Sequence, residues 1–252
     1  ITADDTTKEF GEVDPSLTVS YAGFVNAEDA TDLTGTLAVS RVAGESVGTY
    51  AITASGLTST NYAITYVAGT FTITSKSVTD TDITIASIAD LVYTGLGQTP
   101  SPAVQDGSTV LLVDTDYTLS YVDNINVGTA TVTVTGIGNY SGTKDVTFDI
   151  TLAPLTITAD DNTKEFGEVD PALTVSYAGF VNAEDATDLT GTLSISRVAG
   201  ESVGTYAITA SGLTSTNYAI TYVAGTFTIT SKSVTDTDIT IASIADLVYT
   251  GL

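Results

Sequence analysis

The chain has 252 residues, with 30 acidic and 7 basic side chains and a formal net charge of −23. It contains no Cys, Met, Trp or His, which excludes disulfides, thiolate nucleophiles, Cys/His zinc sites and a Ser-His-Asp triad. The negative charge argues against nucleic acid and anionic lipid as partners, because both are bound through Lys and Arg. A hydrophobic fraction of 42% excludes a disordered chain, and the short apolar runs predict no membrane span.

Alternating apolar and polar residues predict strands in the first 76 residues, because apolar side chains then occupy one face and Thr or Ser the other. The predicted strands are Leu17–Tyr21, Thr36–Ser40, Tyr50–Thr53, Tyr62–Tyr66 and Thr70–Thr74. Turns are predicted at the glycine-containing segments Ala43–Glu45, Ser55–Gly56 and Ala68–Gly69. One short helix is a candidate, in which Asn26 caps Ala27 to Leu33. The alternative for that segment is a polar loop.

Residues 77–153 carry a second set of predicted strands: Asp82–Ile85, Leu91–Tyr93, Tyr117–Tyr121, Thr129–Thr135 and Asp145–Thr151. This segment shares a skeleton with the first one. Val47-Gly48-Thr49 resembles Val127-Gly128-Thr129, and Asn61-Tyr62 resembles Asn139-Tyr140. We interpret the two segments as divergent versions of one small β domain.

Residues 157–252 repeat residues 1–96 with only four differences. The predicted domains are therefore module A (1–76), module B (77–153), a second copy A′ (154–232) and the truncated start of a second B (233–252). Near-identical tandem copies are typical of arrays that multiply length or valency, whereas an active site needs one unique constellation. Short connections, stiffened by Pro154, predict an elongated rod. We expect the last segment to continue into further repeats or to pack against a neighbouring copy.

Three motifs of module A resemble the MBG-type repeat of bacterial adhesins. They are Lys8–Pro15, Arg41-Val42-Ala43-Gly44-Glu45 and Gly69–Thr74. Module B resembles bacterial Ig-like surface repeats through its Tyr93-Thr94-Gly95 and Gly138–Thr143 segments. The resemblance implies an all-β fold of tandem small Ig-like sandwiches, with a β-grasp-like fold as the alternative for the MBG-type modules. It also implies a non-enzymatic, extracellular protein of a cell surface or filament.

The resemblance leaves two kinds of partner open. Further repeats of the same chain, or self-association, suit a stalk that provides length and stiffness. A glycan or host surface suits an adhesion module, with Tyr side chains as a stacking platform. The default role of the Tyr side chains is packing within and between strands. No catalytic motif is carried by either repeat type, and chance pairs of carboxylates are expected among 30 acids.

Acidic clusters allow one metal hypothesis. Asp80 and Asp82 lie near the A–B boundary, and Asp236 and Asp238 are their copies. Carboxylates are ligands for calcium, which needs six to eight oxygens, and an Asp-x-Asp pair supplies only two or three. Calcium between modules is therefore one interpretation. The other is that the charge keeps strand edges soluble and prevents lateral aggregation. No further cofactor is predicted.

Two lysines, Lys8 and Lys144, are candidates for an amide cross-link within a module. Surface domains can join Lys to Asn or Asp through an amide bond when the lysine is buried beside a carboxyl group. Lys8 lies in a charged Thr-Lys-Glu run and Lys144 in a Gly-Thr-Lys-Asp turn. We expect both side chains to be exposed, which argues against such a bond. The Asn139-Tyr140-Ser141 sequon is interpreted as a turn.

Overall fold

The computed structural model of the chain describes residues 1–233. These residues form two compact units, and each is described by itself. The first unit contains residues 1–90, 98–124 and 128–149, and the second contains residues 91–97, 125–127 and those from 150 onward. Residues 234–252 lie outside the described part, and with them most of the predicted second B module, including Asp236 and Asp238. The predicted module boundaries stay a prediction.

Module A is built from six strands. They are β1 (Thr2–Ala3), β2 (Thr6–Glu9), β3 (Val19–Ser20), β4 (Thr34–Arg41), β5 (Gly48–Thr58) and β6 (Gly69–Thr74). Four of them form one sheet in the order β2-β6-β5-β4, in which β2 runs parallel to β6. β1 pairs with β3. Alternation places Ile52, Phe71 and Ile73 in the core, with threonines on the outer face, because successive strand residues point to opposite faces.

No turn lies at Ser55–Gly56, which faces a bulge in β4, so the predicted turn there is wrong. Strand β5 runs through this segment, and the pairing of β4 with β5 shifts register between Gly35 and Ala38. Gly56 has a φ of 95°, and a Cβ at this position would lie 2.2 Å from the carbonyl oxygen of Thr36. Glycine is required because only it combines a positive φ with this close backbone approach.

The predicted helix is also wrong, apart from one turn. Asn26 and Ala27 have φ values of 56° and 63°, which place them in the left-handed region. A 3₁₀ turn follows at Ala30–Asp32, and Asp29 is its cap, since it accepts a hydrogen bond from the Thr31 N–H at 2.8 Å. Across residues 1–233, 3₁₀ turns of this kind are the only helical segments. The β-grasp-like alternative, which needs a helix packed on a sheet, is therefore not supported there.

Nine strands follow in module B, the first of which begins at the last residue of module A. They are β7 (Lys76–Ser77), β8 (Ile83–Ile85), β9 (Leu91–Val92), β10 (Val104–Asp106), β11 (Thr109–Val110), β12 (Tyr117–Val122), β13 (Gly128–Gly136), β14 (Tyr140–Ser141) and β15 (Thr143–Thr151). One sheet has the order β11-β10-β8. A second contains β12, β13 and β15, and the end of β15 pairs in parallel with β9. Val104, Tyr117 and Val134 lie in the core of the first unit. The five predicted strands are confirmed.

Module A′ has seven strands, the first of which begins at the last residue of module B. They are β16 (Ala153–Ala159), β17 (Asn162–Glu165), β18 (Val175–Ala178), β19 (Thr190–Arg197), β20 (Gly204–Thr214), β21 (Tyr218–Val223) and β22 (Gly225–Thr230). One sheet has the order β17-β22-β20-β19, and the other has β16 between β18 and β21. Its core repeats that of module A, with Ile208, Phe227 and Ile229 fully enclosed. An all-β chain of tandem sandwich modules is confirmed. No described segment forms a helix long and apolar enough to cross a bilayer.

Candidate functional site

Each A-type module carries a cluster of four charged side chains, which we call the charge cluster. In module A it consists of Lys8, Asp14, Arg41 and Glu45. The Lys8 ammonium lies 2.7 Å from Asp14 and 2.5 Å from Glu45. The Arg41 guanidinium binds both oxygens of Asp14, at 2.6 and 3.1 Å, and also contacts Glu45. The same arrangement recurs in A′ as Lys164, Asp170, Arg197 and Glu201.

The core of module A positions these charges. Lys8 comes from β2 and Arg41 from the end of β4, and both lie over the ring of Phe71, Arg41 at 4.6 Å from its centroid. Lys8 is only 5% exposed, so the expectation that it is solvent-exposed is wrong. Lys144 is half-buried, with its ammonium 3.5 Å from the carbonyl oxygen of Ile83. The charge cluster ties the loops that carry Asp14 and Glu45 to the sheet.

The electrostatics of the cluster favour fixed charges over reactivity. The Arg41 guanidinium, together with Lys8, lowers the pKa of Asp14 to about 2. Asp14, together with Glu45, raises the pKa of Lys8 above its ordinary value. Joining Lys8 to Asp14 through an amide would need a neutral amine and a protonated carboxyl group. These pKa shifts oppose both forms, so the geometry suits an ion-pair network.

Acid should weaken the A-type modules over a defined pH range. The folded-state pKa of Asp14 lies below its ordinary 3.8, so its contribution to stability is complete above that value and is lost as the pH falls towards 2. We expect the urea midpoint to fall across this range. A variant with both Asp14→Asn and Asp170→Asn should have a lower urea midpoint at pH 7, and its midpoint should fall less steeply as the pH decreases. Parallel curves for the variant and the original chain would contradict this role.

A second recurring arrangement lies where one module meets the next. In the first unit, the Asn139-Tyr140 corner of module B receives three groups from module A. The N–H of Lys76 donates to the Asn139 carbonyl at 3.1 Å. The N–H of Val47 donates to the Asn139 side chain at 2.9 Å. The Phe10 ring meets Tyr140 edge-on, with centroids 5.5 Å apart.

The second unit repeats this arrangement with different residues. Its Asn217-Tyr218 corner belongs to A′, and the three groups come from module B. The N–H of Ala153 donates to the Asn217 carbonyl at 3.0 Å, and the N–H of Val127 donates to the Asn217 side chain at 3.1 Å. The Tyr93 ring meets Tyr218 edge-on at 5.6 Å. A strand, a turn and an aromatic ring therefore dock on an Asn-Tyr corner in both cases. We call this corner the docking corner.

Further contacts strengthen the docking of module B on A′. The Tyr93 hydroxyl donates to Glu184 at 2.6 Å, and this bond raises the pKa of Tyr93 to about 12. The Tyr218 hydroxyl binds the other oxygen of Glu184. The Asn182 side chain donates to the Gly95 carbonyl at 3.0 Å. A Cβ on Gly95 would lie 2.7 Å from that of Asn182, so this approach requires glycine.

Sequence reasoning missed the docking corners, although the signal was present. The shared Val-Gly-Thr and Asn-Tyr segments of modules A and B were interpreted as a common fold skeleton, and Asn139 as part of a turn. Their spacing along the chain does not show that the Val-Gly-Thr turn of one module contacts the Asn-Tyr pair of the next. The packing role predicted for tyrosines is confirmed for Tyr93, Tyr117, Tyr140 and Tyr218, all of which are at most 5% exposed.

The proposed calcium residues Asp80 and Asp82 lie beside a cleft of about 440 Å³ in the first unit. Asp80 accepts a hydrogen bond from the N–H of Ser77 at 3.0 Å. The Lys76 ammonium lies 3.4 Å from Asp82 and 2.6 Å from Asp106. Within residues 1–233, no three acidic side chains are gathered as a metal site would require. Calcium binding stays a prediction.

Chelation tests this prediction directly. Because Lys76 already supplies positive charge to Asp82, we expect the same thermal midpoint in excess calcium and in chelator. The alternative result is a lower midpoint in chelator. If Asp80→Ala removed that sensitivity, calcium bound at Asp80 and Asp82 would be the explanation, and the solubility interpretation of these carboxylates would be wrong.

Solved structures resemble the chain only weakly. Sidekick-1 immunoglobulin domains 1–5 share 10% identity at a TM-score of 0.25, over 74% of this chain and 46% of that one. Drosophila N-cadherin EC1-3 shares 12% sequence identity at a TM-score of 0.20, over 76% of this chain and 79% of that one. Three N-terminal domains of the bacteriophage RB49 Highly Immunogenic Outer Capsid protein share 12% sequence identity at a TM-score of 0.19, over 74% of this chain and 80% of that one. The chain thus spans about half the length of the Sidekick-1 structure. No curated protein sequence matches it.

In contrast to the solved structures, one protein-family profile matches the A-type modules specifically. The profile described as MBG domain (YGX type) matches residues 1–72 and 155–228, more than half of the chain. The matched segments contain both charge clusters, together with the first four residues of the Gly69–Thr74 strand and of its copy. The residues that carried the resemblance are thus the ones that hold each A-type module together. The chain belongs to the MBG domain (YGX type) family.

Proposed function

We propose that the chain is a repeat segment of a large extracellular bacterial adhesin, stalk or filament. In this role each added A-B unit contributes length, stiffness and valency, and the chain catalyses no reaction. The observation that carries the proposal is the recurrence of one docking arrangement: a strand N–H, a turn N–H and an aromatic ring meet Asn139-Tyr140 in one unit and Asn217-Tyr218 in the other.

The docking contacts suit a spacer because they restrict the hinge between neighbouring modules. Each corner is fixed by two backbone N–H donors and by an aromatic pair, and such aromatic pairs contribute about 0.5–1.5 kcal/mol beyond the area they bury. Tyr140 and Tyr218 are 5% and 4% exposed, so the contacts exclude water. The family membership and the charge of −23, which keeps neighbouring chains apart, support the same role.

Solution scattering on proteins of one and two A-B units tests the proposal. We expect the maximum dimension to grow by about the combined span of two small domains when the second unit is added. A matched protein with Asn217→Ala and Tyr218→Ala should have a broader distribution of dimensions, because its docking corner is lost. If a second unit left the maximum dimension unchanged, the spacer function would be wrong.

A second candidate function is adhesion to glycans. The observation in its favour is a groove in module A, lined by Tyr21, Phe24 and Tyr62, that encloses about 280 Å³. Aromatic faces and concave sites of this size suit small ligands. A glycan array with the full chain tests it. Hits that disappear in a Tyr21→Ala variant would favour adhesion, and silence at high valency would favour the spacer.

A further inference from the structure

The two docking corners differ in the residue that pairs with their tyrosine. In the B-type corner, Asn139-Tyr140, the tyrosine pairs with Lys76 of β7. In the A-type corner, Asn217-Tyr218, it pairs with Ala153 of β16. Lys76 and Ala153 are each the first residue of their strand, and each donates its N–H to the carbonyl of the corner asparagine. A cation and a small apolar side chain therefore occupy equivalent positions in the two corners.

The B-type corner satisfies its carboxylate from within module B. The Tyr140 hydroxyl donates to one oxygen of Asp106 at 3.2 Å, and the Lys76 ammonium donates to the other at 2.6 Å. The side chains of Lys76 and Asp106 are only 12% and 16% exposed. The ring that module A brings to this corner is Phe10, which has no hydroxyl and packs against both apolar clusters of the first unit. A docking ring without a polar atom therefore suits this corner.

The A-type corner of A′ receives one of its hydrogen bonds from the neighbouring module. The Tyr218 hydroxyl binds one oxygen of Glu184, and Ala153, in the place of the lysine, carries no charge. The Tyr93 hydroxyl of module B donates to the other oxygen of Glu184 at 2.6 Å. Tyr93 and Tyr218 are 5% and 4% exposed, so both hydroxyls are shielded from water. This corner is therefore completed by a hydroxyl on the docking ring.

Exchanging the two rings would leave polar groups without matched partners. A phenylalanine beside Glu184 would remove a donor from this half-buried carboxylate. A tyrosine in the place of Phe10 would bring a hydroxyl to a corner whose carboxylate, Asp106, already binds two donors. Binding partners are commonly distinguished in this way, because a buried polar group that the wrong partner leaves unpaired weakens binding. The two corners therefore favour different rings.

We propose that each docking corner selects the type of module that it receives. The A-type corner takes a B-type module, because Tyr93 completes Glu184. The B-type corner takes an A-type module, because Phe10 fits beside a carboxylate that Lys76 already neutralises. The two A-type modules differ at only four positions, and misassembly between domains is a common failure of repeat proteins. Selective corners keep unlike modules next to each other as such an array folds.

This inference deepens the proposed function and rests on it, because selection matters only where modules dock in series. The two can nevertheless fail separately. Solution scattering measures whether an added unit lengthens the chain, whereas selection is measured at single hydrogen bonds in each corner. The Val47 N–H donates to the B-type corner and the Val127 N–H to the A-type corner. Hydrogen exchange of these two amides therefore reports on docking at each corner, in the full chain.

Removing one hydroxyl and adding another tests the selection. Tyr93→Phe keeps the ring, and it should speed exchange of the Val127 amide about tenfold or more, because a hydrogen bond to a charged group is lost. Phe10→Tyr should not slow exchange of the Val47 amide. Tyr117→Phe is the matched control, since this buried hydroxyl of module B bonds to a carbonyl within the module, and it should leave Val127 unchanged. The β13 amides should stay protected in all three variants.

A double-mutant cycle separates pairing from packing. If Tyr93 acts through Glu184, the effect of Tyr93→Phe on Val127 exchange should be smaller when Glu184→Gln is already present, because the two residues share one interaction. This comparison still decides the question if Tyr93→Phe also weakens module B. Fully additive effects, or unchanged Val127 exchange in Tyr93→Phe, would overturn the proposal. So would slower Val47 exchange in Phe10→Tyr, because a corner that is strengthened by either ring does not select.

Discussion

Phe71→Ala should unfold module A while module A′ stays folded. Phe71 is fully buried in β6, it packs with Ile52 and Ile73, and the Arg41 guanidinium lies over its ring. Replacing a buried Phe by Ala costs about 3–5 kcal/mol, because it removes apolar contacts and leaves a cavity. A module of about 75 residues has a total stability of only a few kcal/mol. The substitution therefore removes most or all of that stability.

Calorimetry and residue-level hydrogen exchange would check this result. Phe71→Ala should abolish protection of the β5 amides and leave the β20 amides protected, and Phe227→Ala should do the reverse. The surface control is Val13→Ala, at a position that is 92% exposed, which should change neither. Retained protection of β5 in Phe71→Ala would contradict the view that one aromatic residue joins the core to the charge cluster.

Strand alternation predicted most of the fold because it depends on neighbouring residues only. Thr70–Thr74 reads polar-apolar-polar-apolar-polar, and the structure places Phe71 and Ile73 in the core with the threonines outside. The strands of module B follow the same rule. Such patterns are local, and each is visible without knowing what the strand packs against.

The segment Tyr62–Tyr66 shows where local reasoning fails. It was predicted to be a strand. In A′ the identical sequence is strand β21, and in module A it is not. The difference accompanies β16, whose residues 153–156 pair with the first half of β21. A strand needs a partner to satisfy its backbone groups. The same sequence therefore has two structures, depending on what lies beside it.

The burial of Lys8 was missed for a similar reason. Its neighbours Thr7 and Glu9 are polar, so the local pattern indicates a solvent-exposed turn or edge. Its carboxylate partners come from elsewhere: Asp14 from the following loop and Glu45 from the loop between β4 and β5. A lysine can be buried only where such partners gather around it. The family motif contained all these residues, but not the fact that they meet.

Leu155→Ala should destabilise module A′ and leave module A unchanged. Leu155 is 1% exposed within β16, which lies between β18 and β21 in its sheet. Replacing a buried Leu by Ala costs about 2–5 kcal/mol. We therefore expect Leu155→Ala to lower the free energy of unfolding of A′ by this amount and to leave module A unchanged.

Hydrogen exchange of the β21 amides, compared with those of residues 62–66, measures the effect module by module. In the original chain the β21 amides should exchange far more slowly, because β16 covers them. Leu155→Ala should bring them towards the rates of module A. Leu152→Ala is the matched control, since it removes the same atoms from a side chain that is 44% exposed, and it should change little. Equal effects of the two substitutions would show that burial of Leu155 in β16 does not stabilise A′.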